Sequence, residues 1–184
     1  ITYQRHSLTN LISPENGYYF RYYSTLRGTF LGGKTHYLLT DFEYKKFRNF
    51  LDLFIVGFRF KTGYLKLLKN TEENSISDFF NLGGSNSLRG WDKAEELNYS
   101  GNAIFRILNN IEFRFPIYNK LGGELFFDSG ILGRNKSELN YSNIYWDIGF
   151  GFTISTPLGP ARIDIAYPYS KKAYNTSLSL LYSF

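Results

Sequence analysis

The final stretch of the chain, 174–184, reads Tyr-Asn-Thr-Ser-Leu-Ser-Leu-Leu-Tyr-Ser-Phe. Side chains of an extended segment alternate between two faces. Leu178, Leu180, Tyr182 and Phe184 therefore share one face, and Ser177, Ser179 and Ser183 the other. The cleanest repeat of this pattern sets Ile144, Trp146, Ile148, Phe150, Phe152 and Ile154 against Tyr145, Asp147, Gly149, Gly151, Thr153 and Ser155. Residues 102–115 set Ala103, Phe105, Ile107, Ile111, Phe113 and Phe115 against Arg106, Asn110, Glu112 and Arg114. Residues 161–167 oppose Ala161, Ile163, Ile165 and Tyr167 to Arg162 and Asp164. Residues 50–64 oppose Phe54, Val56, Phe58 and Phe60 to Gly57, Arg59 and Lys61. Further strands are predicted over 18–30, 35–47 and 121–131, with a weaker one over 1–9. Turn residues punctuate the runs at Ser13-Pro14-Glu15-Asn16-Gly17, Gly32-Gly33-Lys34, Pro116 to Asn119 and Thr156-Pro157-Leu158-Gly159-Pro160. From 65 to about 100 the alternation stops in a polar, Gly- and Asn-rich segment, of a length that is usually functional or disordered.

In a soluble sandwich the apolar face of each strand points into a core. Here the two-faced pattern covers nearly the whole chain and aromatic residues crowd the strand ends, which predicts an outside facing lipid and an inside facing water. The expected fold is all-β: one transmembrane antiparallel up-and-down β-barrel domain over 1–184, about eight strands, with the 65–100 loop folded inward or extracellular. Short connections at 116–120 and 156–160 alternate with longer ones at 65–100, 133–143 and 168–173. Outer-membrane barrels keep short turns on the periplasmic side, so the C-terminus is expected there.

Composition sharpens the picture. Aromatics make up 20% of the residues, including 18 Phe and 16 Tyr, a usage that suits the lipid–water boundary. Mean hydropathy is −0.29, and no run approaches the roughly 18 apolar residues of a membrane helix. Barrel strands escape that test because every second residue can be polar. Without cysteine there is no disulfide, thiolate metal site or cysteine nucleophile. The formal charge of +5 is scattered singly among apolar residues, which argues against nucleic acid as a partner and for anionic lipid headgroups and a charged lumen. The chain opens on Ile1 without a basic n-region or apolar h-region, so it reads as a mature chain or an excised portion whose export signal is not visible.

Several stretches carry a resemblance. Gly83-Gly84-Ser85-Asn86-Ser87-Leu88-Arg89-Gly90-Trp91 resembles the loop motif G-G-x-x-S-V/L-R-G-F/Y/W of the BamA/TamA superfamily, the bacterial surface antigen family of outer-membrane barrels. Phe126-Phe127-Asp128-Ser129-Gly130 is similar to its F-x-D-x-G strand. The stretch from Ser155 to Asp164 is similar to its penultimate turn and strand, the terminal Leu-Tyr-Ser-Phe to its last strand, and Pro14-Glu15-Asn16-Gly17 to its P-x-x-G turn. The motifs occur in family order over almost the whole chain. Family barrels are about twice this size and follow periplasmic repeat domains, so the resemblance implies the equivalent of the C-terminal half of such a barrel, present as a fragment, as a minimal member or as half of an assembly closed by another chain. Missing N-terminal strands or a homodimer would complete it.

The resemblance also implies roles. Arg89 would reach from the loop into the lumen to meet Asp128, with Glu112 a second carboxylate partner. Gly83, Gly84, Gly90 and Trp91 would shape the loop motif. Leu180, Tyr182 and Phe184 would form the C-terminal signal read by the outer-membrane assembly machinery. Asp147, Arg162, Asp164, Arg106 and Arg114 lie on polar faces and read as a paired lumen network, or as the lining of a pore. The implied setting is the outer membrane of a Gram-negative bacterium, among its lipids and lipopolysaccharide. The implied activity is non-enzymatic insertion or translocation of proteins; the alternative is a scaffold or anchor barrel without transport. Only His6 and His36 are available as imidazoles, neither lies in a nucleophile or metal motif, and neither a cofactor nor a metal is expected.

Overall fold

The computed structural model describes every residue except 69–70, 93–96, 98–101, 158, 171–172 and 181–184. Tyr182 and Phe184 of the terminal signal thus lie outside the described residues. Nine antiparallel strands follow one another in a single up-and-down sheet: β1 Thr2–His6, β2 Gly17–Arg27, β3 Tyr37–Phe50, β4 Phe54–Leu67, β5 Phe105–Tyr118, β6 Leu121–Gly133, β7 Tyr145–Thr156, β8 Gly159–Pro168 and β9 Asn175–Leu180. The expectation was about eight; the weak N-terminal run supplies the ninth, pairing over its whole length with β2 from Thr2↔Tyr23 to His6↔Tyr19. Among the described residues β1 and β9 do not pair with each other, so the sheet remains open.

The two faces divide as the alternation predicts. Ile111, Phe113, Leu125, Phe127, Trp146, Ile148, Phe150, Phe152, Ile163, Leu178 and Leu180 are exposed on the outer wall. An aromatic ladder of Tyr3, Phe20, Phe42 and Phe60 crosses four strands there, with ring centroids 5.8, 5.2 and 6.1 Å apart. On the inner face Asp41, Glu43, Arg59, Asn110, Glu112, Arg114, Glu124, Asp128, Asp147, Arg162 and Asp164 are all buried. That reversal of normal burial is what a lipid solvent produces: apolar residues face out, and charges shelter inside and pair.

Two strand boundaries, and the surroundings of two residues, depart from expectation. β4 runs on to Leu67, because Leu65 points inward and is fully buried against the loop that follows. β5 starts at Phe105 rather than 102. Ala103 instead makes an isolated antiparallel bridge to Phe80 and sits in the interior rather than on the lipid face. Phe105 is also buried, its ring lying over Gly133 on the outer wall beneath the 134–144 connection. Alternation assigns a face to a residue, but not what covers that face.

The 68–104 segment is no polar excursion. Ile76, Phe80, Leu82, Leu88, Trp91 and Leu97 pack with the inward-facing Tyr37, Leu39, Leu65, Leu108 and Leu132 into the main hydrophobic cluster. One end of the lumen is therefore an apolar core built between loop and wall, and the other is ionic.

Candidate functional site

The tip of the inward loop is shaped locally before it meets the wall. Gly83 and Gly84 take φ of 104° and 84°, a region that residues with a Cβ rarely enter. The turn closes on itself through Ser87 N–H to the Gly84 carbonyl at 3.0 Å and Gly84 N–H to the Trp91 carbonyl at 2.6 Å. Gly83 N–H donates to Ser87 Oγ at 3.3 Å. This hairpin-like tip presents Arg89 to the sheet.

Arg89 is the hub. Its Nε and Nη2 donate to the two oxygens of Asp128 at 2.7 and 2.9 Å, and its Nη1 donates to Glu112 and to Glu124, both at 3.0 Å. Asp164 stands 3.8 Å from the same nitrogen. The guanidinium carbon lies 3.4 Å from the centroid of the Phe126 ring, over its face. A planar fork of five donors can satisfy several carboxylates at once, which a lysine ammonium cannot match in geometry. The side chains of Arg89, Glu112, Glu124 and Asp128 are all 0% exposed. The expected partners Asp128 and Glu112 are thus both in contact with Arg89. Glu124 is an addition that the sequence reading missed, although its place four residues before Asp128 on the same face of β6 was available to it.

The wall also holds the loop through its backbone. Arg59 donates to the Asn86 carbonyl at 2.9 Å, Arg162 to that of Ser85 at 2.9 Å, Asn110 to that of Ser87 at 2.7 Å, and Asn175 to that of Arg89 at 2.7 Å. In the other direction, Gly90 N–H donates to Asp147 at 3.0 Å, and Arg89 N–H to Asp128 at 3.3 Å. Strands β4 to β9 each contribute at least one of these contacts. At Gly90 a Cβ would stand 2.8 Å from that of Asp147 and 2.9 Å from that of Pro168, so only glycine lets the loop backbone come this close. The first residue beyond it, Trp91, is fully buried and meets Tyr145 and Tyr169 edge-on, with centroids 5.7 and 6.5 Å away. At Gly130, the glycine of the F-x-D-x-G strand, a Cβ would lie 2.8 Å from Leu82 Cδ1. The wall is thinned where the loop presses on it.

The remaining polar-face residues pair as a lumen network. Arg162 Nε lies 2.7 Å from Asp164, and Arg114 donates to Glu112 at 2.9 and 2.5 Å. Arg106 and Arg21 converge on Asp41 at 2.5 and 3.3 Å, and Arg59 on Glu43 at 2.8 Å. A pore lining would leave such charges free for ions; here they bind one another and the loop.

An antiparallel sheet with an oily outside and an ionic inside, curved around an inward loop that a buried arginine holds, defines a transmembrane β-barrel wall with a lumen loop. The chain belongs to the Omp85 superfamily, whose domain model matches residues 1–179. Among solved structures it is similar to the crystal structure of BamA from Haemophilus ducreyi lacking POTRA domains 1–3, with a TM-score of 0.76 at 16% identity. That match covers 98% of this chain and 40% of the other, so the chain spans less than half the length of the protein it resembles. No curated protein matches it.

Proposed function

We propose that this chain forms the C-terminal part of a bacterial outer-membrane barrel that inserts or translocates other proteins without covalent chemistry. The observation that carries the proposal is the loop tip, held by six consecutive strands through Arg89, Gly90 and four backbone carbonyls. A barrel whose only task is to anchor a passenger has no need of a buried cation gathering three carboxylates, since burying ions is costly compared with an apolar core. Among the described residues β1 and β9 each have one unpaired edge, which adds a second consideration. Backbone groups cannot stay unpaired in hydrocarbon, so further strands, from the same protein or from a second copy, complete the wall.

The test is reconstitution of the full-length protein into liposomes, followed by the folding rate of a urea-denatured outer-membrane barrel added to them. Acceleration over empty liposomes supports insertion. Equal rates with and without the protein would overturn this reading and leave the scaffold or anchor barrel in its place. Fractionation of the host cell tests the location, with the protein expected in the outer membrane among its lipids and lipopolysaccharide.

A further inference from the structure

The outer wall of β5 and β6 carries one polar interruption. Down this face the cross-strand pairs are Ile107↔Ile131, Asn109↔Ser129, Ile111↔Phe127 and Phe113↔Leu125. All are apolar except the second. Neither the Asn109 amide nor the Ser129 hydroxyl bonds to another group among the described residues. The pair lies level with Trp146, the cross-strand neighbour of Ser129. Trp146 stacks on Tyr169 and on Phe127 with centroids 5.2 and 6.2 Å away, an aromatic cluster of the kind that marks the edge of the hydrocarbon zone.

Beside the polar pair a cleft of about 310 Å³ opens between the wall and the 134–144 connection, lined by Ile107, Ile131, Leu139 and Ile144 together with Asn109, Ser129, Asn140 and Tyr141. The connection is organised before any ligand arrives. Glu138 accepts from Arg134 N–H at 2.8 Å and from Asn135 Nδ2 at 2.9 Å, while its own carbonyl accepts from Asn143 Nδ2 at 3.0 Å. An apolar cleft that opens onto a lipid-facing wall draws its occupant from the membrane.

We propose that the cleft holds one chain of a diacyl membrane lipid. The second chain runs down the wall past Ile111 and Phe127, and the ester carbonyls at the branch accept from Asn109 Nδ2 and Ser129 Oγ. The sequence apolar, polar, apolar along this column matches the order tail, carbonyl, tail in a splayed lipid. A carbonyl offers only acceptors, and this amide and hydroxyl are free to donate.

The test uses the full-length protein in nanodiscs containing a phospholipid with a photoreactive diazirine at the end of one acyl chain. Labelling is expected on 139–144, Ile107 and Ile131 as well as on the lower wall. The Asn109→Leu, Ser129→Ala double variant removes two neutral hydrogen bonds and should lower labelling of the cleft by about tenfold, with heat-modifiability on gels unchanged. Ile131→Trp fills the cleft and should abolish labelling there while Phe127 is still labelled. Three results would overturn the assignment: an unlabelled cleft in the wild type, equal labelling in the double variant, or stronger labelling from a headgroup diazirine than from the chain-end probe. None of these outcomes bears on the insertion assay, which succeeds or fails independently.

Discussion

Replacing Arg89 by alanine should loosen the lumen more than any other single change. Five buried carboxylates, those of Glu112, Glu124, Asp128, Asp147 and Asp164, surround the loop tip, and Arg114 and Arg162 are the other guanidiniums in contact with this group. An assembled buried ion network contributes little net stability, because desolvation offsets attraction. Removing one member is different: the acids remain dry and lose their counter-charge, and such breaks cost about 3–5 kcal/mol. Arg89→Lys keeps the charge but loses the fork on Asp128, so it should cost about 1.5–3 kcal/mol, the range for a hydrogen bond to a charged group. Both values can be read from urea titration in lipid vesicles. Trp91 emission reports the loop, since Trp91 is buried two residues from Arg89; protease sensitivity of 68–104 provides a second probe. Adding Asp128→Asn to Arg89→Ala should recover part of the loss, because the deleted carboxylate no longer needs a partner. If Arg89→Ala unfolds within about 0.5 kcal/mol of wild type, the spread of a neutral surface change, and Trp91 emission stays put, the network does not hold the loop.

The other expectations rest on single sites. Gly90→Ala places a Cβ against those of Asp147 and Pro168 and should cost about 1–3 kcal/mol, the price of overpacking; a wild-type midpoint in the same titration would refute the close approach. Leu180→Arg, on the outer face of β9, should cost about 2–4 kcal/mol if it lies near the bilayer midplane, and no change in folding free energy would mean that the face is not in lipid. Asn86→Ala should be neutral, because the wall grips the carbonyl of this residue and not its side chain; a loss above about 1 kcal/mol would show a side-chain role. Deleting Phe184 should lower outer-membrane levels in cells while leaving refolding of the purified protein intact, and normal levels would remove the residue from the assembly signal.

Alternation made the outer wall legible from the sequence, and the motif resemblance made Arg89, Asp128 and Glu112 legible together. Period two by itself would have placed Asp128 inside without saying what it meets. What escaped is instructive. Glu124 lies on the inner face of β6 with Asp128, yet its role depends on the loop crossing the lumen at that height, a tertiary fact that no local pattern encodes. Phe80, Leu82 and Leu88 were hidden because a window rich in Gly and Asn averages to polar, although these residues bury fully or nearly so. Ala103 and Phe105 were assigned to lipid by parity, and other chain segments cover both. Arg59, Asn110, Arg162 and Asn175 escaped as loop anchors for a further reason: their targets are carbonyl oxygens, which every residue carries and which leave no mark in a sequence.

That last point explains how the sheet keeps its curvature. Each strand pairs only with its neighbours from β1 to β9, and no β1–β9 seam among the described residues fixes the bend. Such a ribbon can flatten by small changes at every pair. The loop tip opposes this, because it bonds at once to β4 through Arg59 and to β9 through Asn175, with β5 to β8 in between. Flattening would pull these anchors apart together, so four carbonyl contacts and one arginine act as a brace across the lumen. A brace read through the backbone sets position strictly and leaves the Ser85 and Asn86 side chains uncommitted among the described residues. Strictness falls on Arg89, which must reach three acids, and on Gly90, which must be thin enough to pass.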